Sequence, residues 1–332
     1  MDTKKTPQCV LVTGCSGFIG GAFVRAFRAE FPTTKIVGID DLSAGNRKSV
    51  GSGVVFSKGS IADEAFLEKI FKTHKPDYVF HFAAIPRIPR SWVEPTLTTS
   101  VNVVGTVALL KKAVDYHVRR FIFASSSSIY GGSPMHRGSG KLISLKEGAS
   151  VSPRSPYALQ KLVGEQFCKM YSDRFGIDTV CLRFFTVFGP GQRGNASYAT
   201  IVSAWLESVY FPGKKEGFLE GDGTQSRDFT FIDDVIQAVM KAMRSPRKFR
   251  GEVFNVGSGN PVSVLTVKAL IERYTRKKLK LRRLPSRPGD VKHTRADIGK
   301  AGTLLGYEPR WNFEKGLQKT VEWFEELGKR KN

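Results

Sequence analysis

The stretch Val10-Leu11-Val12-Thr13-Gly14-Cys15-Ser16-Gly17-Phe18-Ile19-Gly20 decides the fold. A short apolar run comes first, then three glycines spaced by three, then a helical pattern over 21–30. Glycines there permit a tight turn and let backbone N–H groups approach an anion held at the positive end of the helix. A second apolar run, Ile36–Ile39, ends in Asp40, 20 residues after Gly20. A carboxylate at that strand tip accepts hydrogen bonds from a ribose and repels a 2′-phosphate. The loop in its strand-loop-helix setting, together with Asp40, points to a bound NAD rather than NADP. Arg47 and Lys48 nearby are the features that oppose this preference, and a glycine turn without any ligand is the plain alternative.

Working outward, Val54–Ser57, Tyr78–Phe82, Phe121–Ala124 and Val180–Phe184 read as further short strands. Helical patterns at Glu64–Thr73, Val101–His117 and Tyr157–Phe175 lie between them. This alternation predicts an α/β fold, a Rossmann-type doubly wound parallel sheet with helices on both faces. After Phe185 the regularity weakens into Gly- and Pro-rich segments at Gly189–Gly194, Phe211–Gly217 and Gly221–Gly223, which suggest loops around a substrate. A helix at Asp233–Met243 and a strand at Val253–Val256 are expected to return to the main sheet. The expected domains are therefore interleaved: 1–185 plus about 228–258 for the cofactor, and about 186–227 plus 259–332 as a smaller substrate lobe.

Of the 332 residues 41% are hydrophobic, which excludes wholesale disorder. No apolar run is long enough to span a bilayer, so a cytoplasmic location without membrane attachment is expected. Cys9, Cys15, Cys168 and Cys181 are scattered without ligand-type spacing, which implies reduced thiols and no metal. The formal net charge is +22, and between Lys241 and Lys300 there are 17 basic and 4 acidic residues. Within Arg273–Arg283 the bases alternate around Leu279 and Leu281, fitting a strand with one solvated face. Interleaved aromatics are missing, so a solvated basic surface is expected and a nucleic-acid partner is not.

Tyr157 and Lys161 stand four residues apart on a predicted helix, so phenol and ammonium share one face. A free tyrosine, with a pKa near ~10, is a poor base at neutral pH. A neighbouring ammonium and a positively charged nicotinamide would bring it down toward ~7, enough to take a hydroxyl proton while hydride leaves. Ser125-Ser126-Ser127-Ser128 ends a predicted parallel strand, where α/β sheets place their ligands. A serine there could relay the substrate proton, or simply satisfy its own backbone.

The wording Thr13-Gly-Cys-Ser-Gly-Phe-Ile-Gly20 resembles the extended short-chain dehydrogenase/reductases, the NAD-dependent epimerase/dehydratase branch. Ser-Ser-x-x-x-Tyr-Gly at 125–131 is similar to that family's motif, which implies Ser126 as the catalytic serine beside Tyr157 and Lys161, with Ser127 second. The resemblance continues through His81-Phe82-Ala83-Ala84, Asn102-Val-Val-Gly-Thr106 and Arg183-Phe-Phe-Thr-Val-Phe-Gly-Pro190. It extends to Gly221-Asp-Gly223, Ser226-Arg-Asp-Phe229 and Arg287-Pro-Gly-Asp-Val291. It implies cofactor contacts from Gly14, Gly17, Phe18, Ile19, Gly20 and Asp40, then Asp41, Ser43 and Gly45. Ser60, Ile61, Phe82, Ala83, Ala84, Asn102 and Phe185 complete that set with Tyr157 and Lys161. It further implies that Arg227 and Arg287 clamp a diphosphate, Asp290 contacts a ribose and Phe218 packs on the base. Ser126, Ser127, Thr186, Asn195, Thr200, Ile201, Trp205, Glu220 and Thr294 complete the substrate set.

Dehydrating and decarboxylating relatives carry an acid two positions before the tyrosine of the Tyr-Gly pair, and Ser128 stands there. The resemblance therefore implies a UDP-sugar 4-epimerase working through a 4-keto sugar. Thr186, in Phe-Phe-Thr-Val, resembles the glucuronate branch, whereas Asn195-Ala-Ser-Tyr-Ala199 and the small Thr294 resemble the hexose and N-acetylhexosamine branch. Ser60 stands where an aspartate usually meets adenine, and Glu220 where an amide often reads uracil. Apolar residues beyond one face, Val104, Val107, Leu110 and Val114 on one helix and Leu162, Phe167, Met170 and Tyr171 on another, agree with the family's four-helix homodimer. An NAD-loaded scaffold, or a basic nucleic-acid binder on an enzyme fold, is the reading from another class.

Overall fold

The computed structural model describes residues 6–136, 138–194, 200–211, 217–285 and 291–329. In chain order the first half reads β1 (Cys9–Thr13), α1 (Phe18–Glu30), β2 (Lys35–Asp40), β3 (Val54–Lys58), α2 (Glu64–His74) and β4 (Tyr78–His81). Two short helices follow, α3 (Ile88–Val93) and α4 (Pro95–Thr99), then a π turn (Ser100–Val104), α5 (Gly105–Asp115), β5 (Arg120–Ser126), α6 (Pro156–Phe175) and β6 (Asp178–Phe184). The remainder comprises β7 (Thr186–Phe188), α7 (Ile201–Tyr210), β8 (Gly217–Glu220), β9 (Ser226–Phe231), α8 (Ile232–Arg244) and β10 (Glu252–Val256). β11 (Pro261–Ser263), α9 (Val264–Thr275), β12 (Leu281–Leu284), α10 (Gly299–Leu305) and α11 (Phe313–Lys329) close the chain.

Seven strands form one sheet in the order β10-β6-β5-β4-β1-β2-β3. β1 pairs in parallel with both β2 and β4, and β4 in parallel with β5, so the order reverses beside β1. This is the expected doubly wound sheet, and the runs of β1 and β6 are buried along their whole length, as strands covered on both faces must be. Smaller sheets have the orders β11-β9-β7 and β12-β8.

Compactness divides the chain into one unit of 1–129, 155–183 and 236–254, and a second of 130–154, 184–235 and 255–332. The chain thus leaves the first unit at Ile129, earlier than the sequence suggested, because 131–154 is tied elsewhere. Ser133 N–H donates to His293 O (2.7 Å), and Leu145 bridges Ala296.

Two expectations are corrected. Arg273–Arg283 is not one strand: α9 continues to Thr275, Arg276 turns into the left-handed region (φ 55°), and only Leu281–Leu284 is extended. Val267 and Ile271, four apart and fully buried, hold that helix in place, a pattern the alternating bases obscured. Leu110 lies in the core of its own unit, so it offers nothing to a partner, whereas Val104 and Met170 are exposed.

Close packing of helix on strand rests on particular glycines. A Cβ on Gly20 would stand 2.1 Å from the Gly14 carbonyl oxygen. Gly20→Ala should therefore lower stability by about 3 kcal/mol or more in urea unfolding. Gly51→Ala, where a Cβ meets nothing within 4 Å, should leave the midpoint unchanged or raise it.

Candidate functional site

The glycine loop is a fitted object. Gly14 has φ +69°, donates its N–H to Ile39 O (2.8 Å), and leaves a Cβ only 2.7 Å from Ala83 N. α1 begins after Gly17 with no side-chain cap and no acidic residue in its first turn. Its first N–H groups and the positive end of its dipole are therefore uncompensated from within the helix. Asp40, nearly buried, accepts from Ser16 N–H (2.9 Å) and Leu42 N–H (2.8 Å), and burial pushes its carboxyl up despite these donors. Gly45 lies against Ser16, where a Cβ would come within 2.6 Å, and Asp41 accepts from the N–H and hydroxyl of Ser43. Gly14, Gly17, Phe18, Ile19, Gly20, Asp40, Gly45 and the Phe82–Ala84 segment are thus drawn together, and the cradle fits a dinucleotide pyrophosphate. Arg47, one of the two bases that argued against the NAD preference, lies over the Phe56 ring, 4.5 Å from its centre.

Ser60 accepts from Ala62 N–H (3.2 Å), and Ile61 is buried against Gly105. Asn102, in the π turn, is tied to both backbone groups of Ile85 (2.8 and 3.1 Å) and to Gln160 Oε1 (2.8 Å), so it fixes the segment after β4. His81 is enclosed. Thr106 Oγ1 donates to Asn102 O and so accepts from His81 Nε2–H, while Thr13 Oγ1 takes Ala83 N–H and donates to Nδ1. The ring is neutral in its Nε2–H form, and burial holds its pKa well below the usual value.

The catalytic candidates lie on β5 and α6. Ser155 caps α6, accepting from Ala158 N–H (3.2 Å), and Tyr157 and Lys161 follow, both buried. Lys161 Nζ donates to Ala124 O (2.7 Å) and lies 4.8 Å above the Phe123 ring, and burial brings its pKa down to about 8. The serines separate by their bonds. Ser125 is buried and donates to Glu165, whereas Ser126 Oγ accepts from Ser128 N–H (3.2 Å) and O–H (2.9 Å), so its own proton remains the one it can offer. Ser127 is half-buried at the start of the following turn.

The second unit holds a cavity of about 220 Å³ lined by Thr186, Thr200, Ile201, Trp205, Phe218, Glu220 and Arg227, all expected from the sequence. Trp205 donates its indole N–H to Phe218 O (2.9 Å), which joins α7 to β8, and Phe218 and Glu220 occupy alternate positions of that strand. Arg227 Nη1 donates to the carbonyls of Ser226 and Lys292 (3.1 and 3.2 Å). Beside it Asp228, fully buried, accepts from Ser258 N–H and O–H, Gly259 N–H and Ala296 N–H. Thr294 is buried, its hydroxyl accepting from Asp228 N–H (3.1 Å). Phe185 is buried and donates its N–H to Val256 O (3.0 Å). Asn195, Arg287 and Asp290 lie outside the described residues.

Ala204, Leu219, Gln225, Phe229 and Val264 line the same cavity and were missed. Phe229 closes the Ser226–Phe229 signature without having been assigned to the substrate, and Gln225 directly precedes that signature. Val264 begins a helix after β11 and carries no local signal. The cavity's aromatic and aliphatic wall, with one guanidinium, suits a flat base followed by phosphate.

A sequence model of the NAD dependent epimerase/dehydratase family matches residues 10–257. An uncharacterized UDP-glucose epimerase of Bacillus subtilis is 34% identical over 96% of this chain and 98% of its own length. The crystal structure of UDP-glucose 4-epimerase from Thermotoga maritima with UDP-glucose is similar at a TM-score of 0.88 and 32% identity, over 96% of this chain and 99% of that one. UDP-glucuronic acid 4-epimerase from Bacillus cereus, in complex with UDP-glucuronic acid and NAD, is similar at 0.84 and 33%, with the same coverage.

The Asp228 carboxylate gathers Ser258, Gly259 and Ala296 around itself, next in sequence to Arg227. Asp228→Asn turns an amide donor toward groups that are all donors, and thermal or urea unfolding should show a loss of about 2–4 kcal/mol. An unchanged midpoint would mean that the four bonds hold nothing in place.

Proposed function

This chain belongs to the NAD-dependent epimerase/dehydratase family, and from that premise we propose that it is an NAD-dependent nucleotide-sugar 4-epimerase for UDP-hexoses or UDP-N-acetylhexosamines. The observation that carries the reading is at the end of β5: Ser128 stands where an acid would drive dehydration or decarboxylation, and its hydroxyl is bonded to Ser126. With no acid at that place, removal and return of hydride at one carbon is the chemistry left.

NAD, held by the Gly14–Gly20 cradle and Asp40, would supply the acceptor and donor of that hydride. Tyr157 as phenolate takes the C4 hydroxyl proton, with Ser126 relaying it, and returns it after the 4-keto sugar has turned. Lys161, cationic below about pH 8, favours the phenolate. In the second unit Arg227, with Arg287, clamps the diphosphate while Phe218 packs on the base, so the nucleotide stays fixed as the sugar turns. Asn102 contributes by holding the segment beside the cofactor.

Thr186 lines the cavity, and a threonine hydroxyl can bond a sugar carboxylate, so UDP-glucuronate is the second reading. Product analysis with UDP-glucose, UDP-N-acetylglucosamine and UDP-glucuronate decides between them, and a dehydrated or decarboxylated product would sink both. A homodimer through α5, with the π turn that precedes it, and α6 is part of the proposal, supported by exposed Val104, Leu159 and Met170. A monomer in light scattering at micromolar concentration would remove it.

Two outcomes test the chemistry. Tyr157→Phe should lower turnover by a factor on the order of 10² to 10⁴ while keeping fold and bound NAD. The wild-type rate should decline as pH rises past about 8, because Lys161, whose folded pKa is depressed, loses its charge there. A rate flat to pH 10 would remove Lys161 from the phenolate's support.

A further inference from the structure

Behind the catalytic pair lies a charged cluster that the mechanism above does not use. Glu165, one helical turn beyond Lys161, is 2% exposed. Its Oε1 accepts from Ser125 Oγ and from Arg183 Nε (2.9 Å), and its Oε2 accepts from Arg183 Nη2 (2.7 Å). Ser125 precedes Ser126, and Arg183 lies on β6, so one carboxylate ties α6 to the ends of two strands. A second tie, Lys161 Nζ to Ala124 O, lies one turn earlier on the helix and one residue earlier on β5. Between them Gly164 sits so close to the strand that a Cβ would come 2.6 Å from the Phe123 ring. Helix and strand are thus laced at two successive rungs across a near contact. A slip of either element would move Tyr157 relative to Ser126.

We propose that Glu165 is a positioning residue for the epimerisation chemistry: held by Ser125 and Arg183, it sets the register of α6 on β5 and keeps the Lys161 ammonium charged beside Tyr157. The proposal rests on the epimerase reading. The charge argument follows from what surrounds the ammonium. Glu165 and Cys168 face it from its own helix, Cys181 and Arg183 lie on β6, and neutral His81 lies on β4. Cys181 is fully buried and burial pushes its thiol well up, so it supplies no counter-charge. The Arg183 cation disfavours a second cation near it. Glu165 is the one carboxylate among these groups, and its charge offsets part of the cost of burying Lys161.

Glu165→Gln keeps the shape and an acceptor for Ser125 but removes the charge. Lys161 should then lose its proton at lower pH, and Tyr157 should need higher pH to form its phenolate. The pH range of activity should narrow from both sides, with kcat down on the order of tenfold and KM for the nucleotide sugar within about threefold. The phenolate is also read without turnover, by ultraviolet titration of the NAD-loaded protein as a difference against the same protein carrying Tyr157→Phe. Its midpoint should move to higher pH in Glu165→Gln, and a folded variant with midpoint and kcat unchanged overturns the proposal. Should Glu165→Gln not fold, Ser125→Ala removes one rung and leaves the Glu165–Arg183 pair. It should then lower kcat by at least about threefold at constant KM, and a kcat equal to wild type overturns the positioning role. If the unaltered chain converts no UDP-sugar, the reading of function fails, while the titration still decides what Glu165 does for Tyr157.

Discussion

The contact on which the first unit turns is the one between Gly20 and the carbonyl of Gly14. Hard-sphere repulsion admits no side chain there, and this lets the helix start directly over the strand end instead of standing off by a methyl group. Because the helix starts there, its N–H groups converge on the end of the sheet where the strand order reverses, the place at which open α/β sheets take ligands. Asp40 reaches back to Ser16 from the neighbouring strand, and Ala83 packs on Gly14 from the other side. The cradle is thus shaped by backbone, with side chains bracing it.

Around that frame several of the polar side chains taken out of water are bonded to partners. His81 lies between two threonines in a single tautomer, Asn102 and Gln160 complete each other with Thr98 and Thr99, and Asp228 gathers four donors. An unmatched partner in such a place costs about 1–3 kcal/mol, so these networks fix geometry as well as stability. They explain why candidates assigned by likeness to direct contact, such as Asn102 and Thr294, are found holding neighbouring backbone in position.

The first half of the fold was legible because its signals are local. Each strand there is an apolar run, the longer helices have their own period, and Gly14–Gly20 announces the turn between them, whereas the short α3 and α4 and the π turn at Ser100–Val104 carried no such signal. The second unit was not legible in that way. β7 and β11 are three residues long, β9 pairs with both, and β8 meets β12 only after more than 60 residues of chain. Strands so short acquire their conformation from their partners, and no window of sequence contains both. The same holds for the cavity. Phe218 and Arg227 belong to recognisable wording, whereas Ala204 and Val264 line it only because α7 and α9 pack where they do.

The first unit draws on three separated stretches, and the last strand to join the sheet is β10, which starts at Glu252. On the ribosome, at 5–20 residues per second, β5 emerges roughly 3 to 12 s before β6, its neighbour on the open side. During this interval β5, later flanked by β4 and β6, presents a bare row of amides on one side. Its sequence, Arg120-Phe-Ile-Phe-Ala-Ser-Ser126, is apolar at the centre and carries a single charge at its start. The nascent chain is therefore open to mispairing at the strand that bears Ser126, the candidate relay serine, and a holding chaperone would act in that interval.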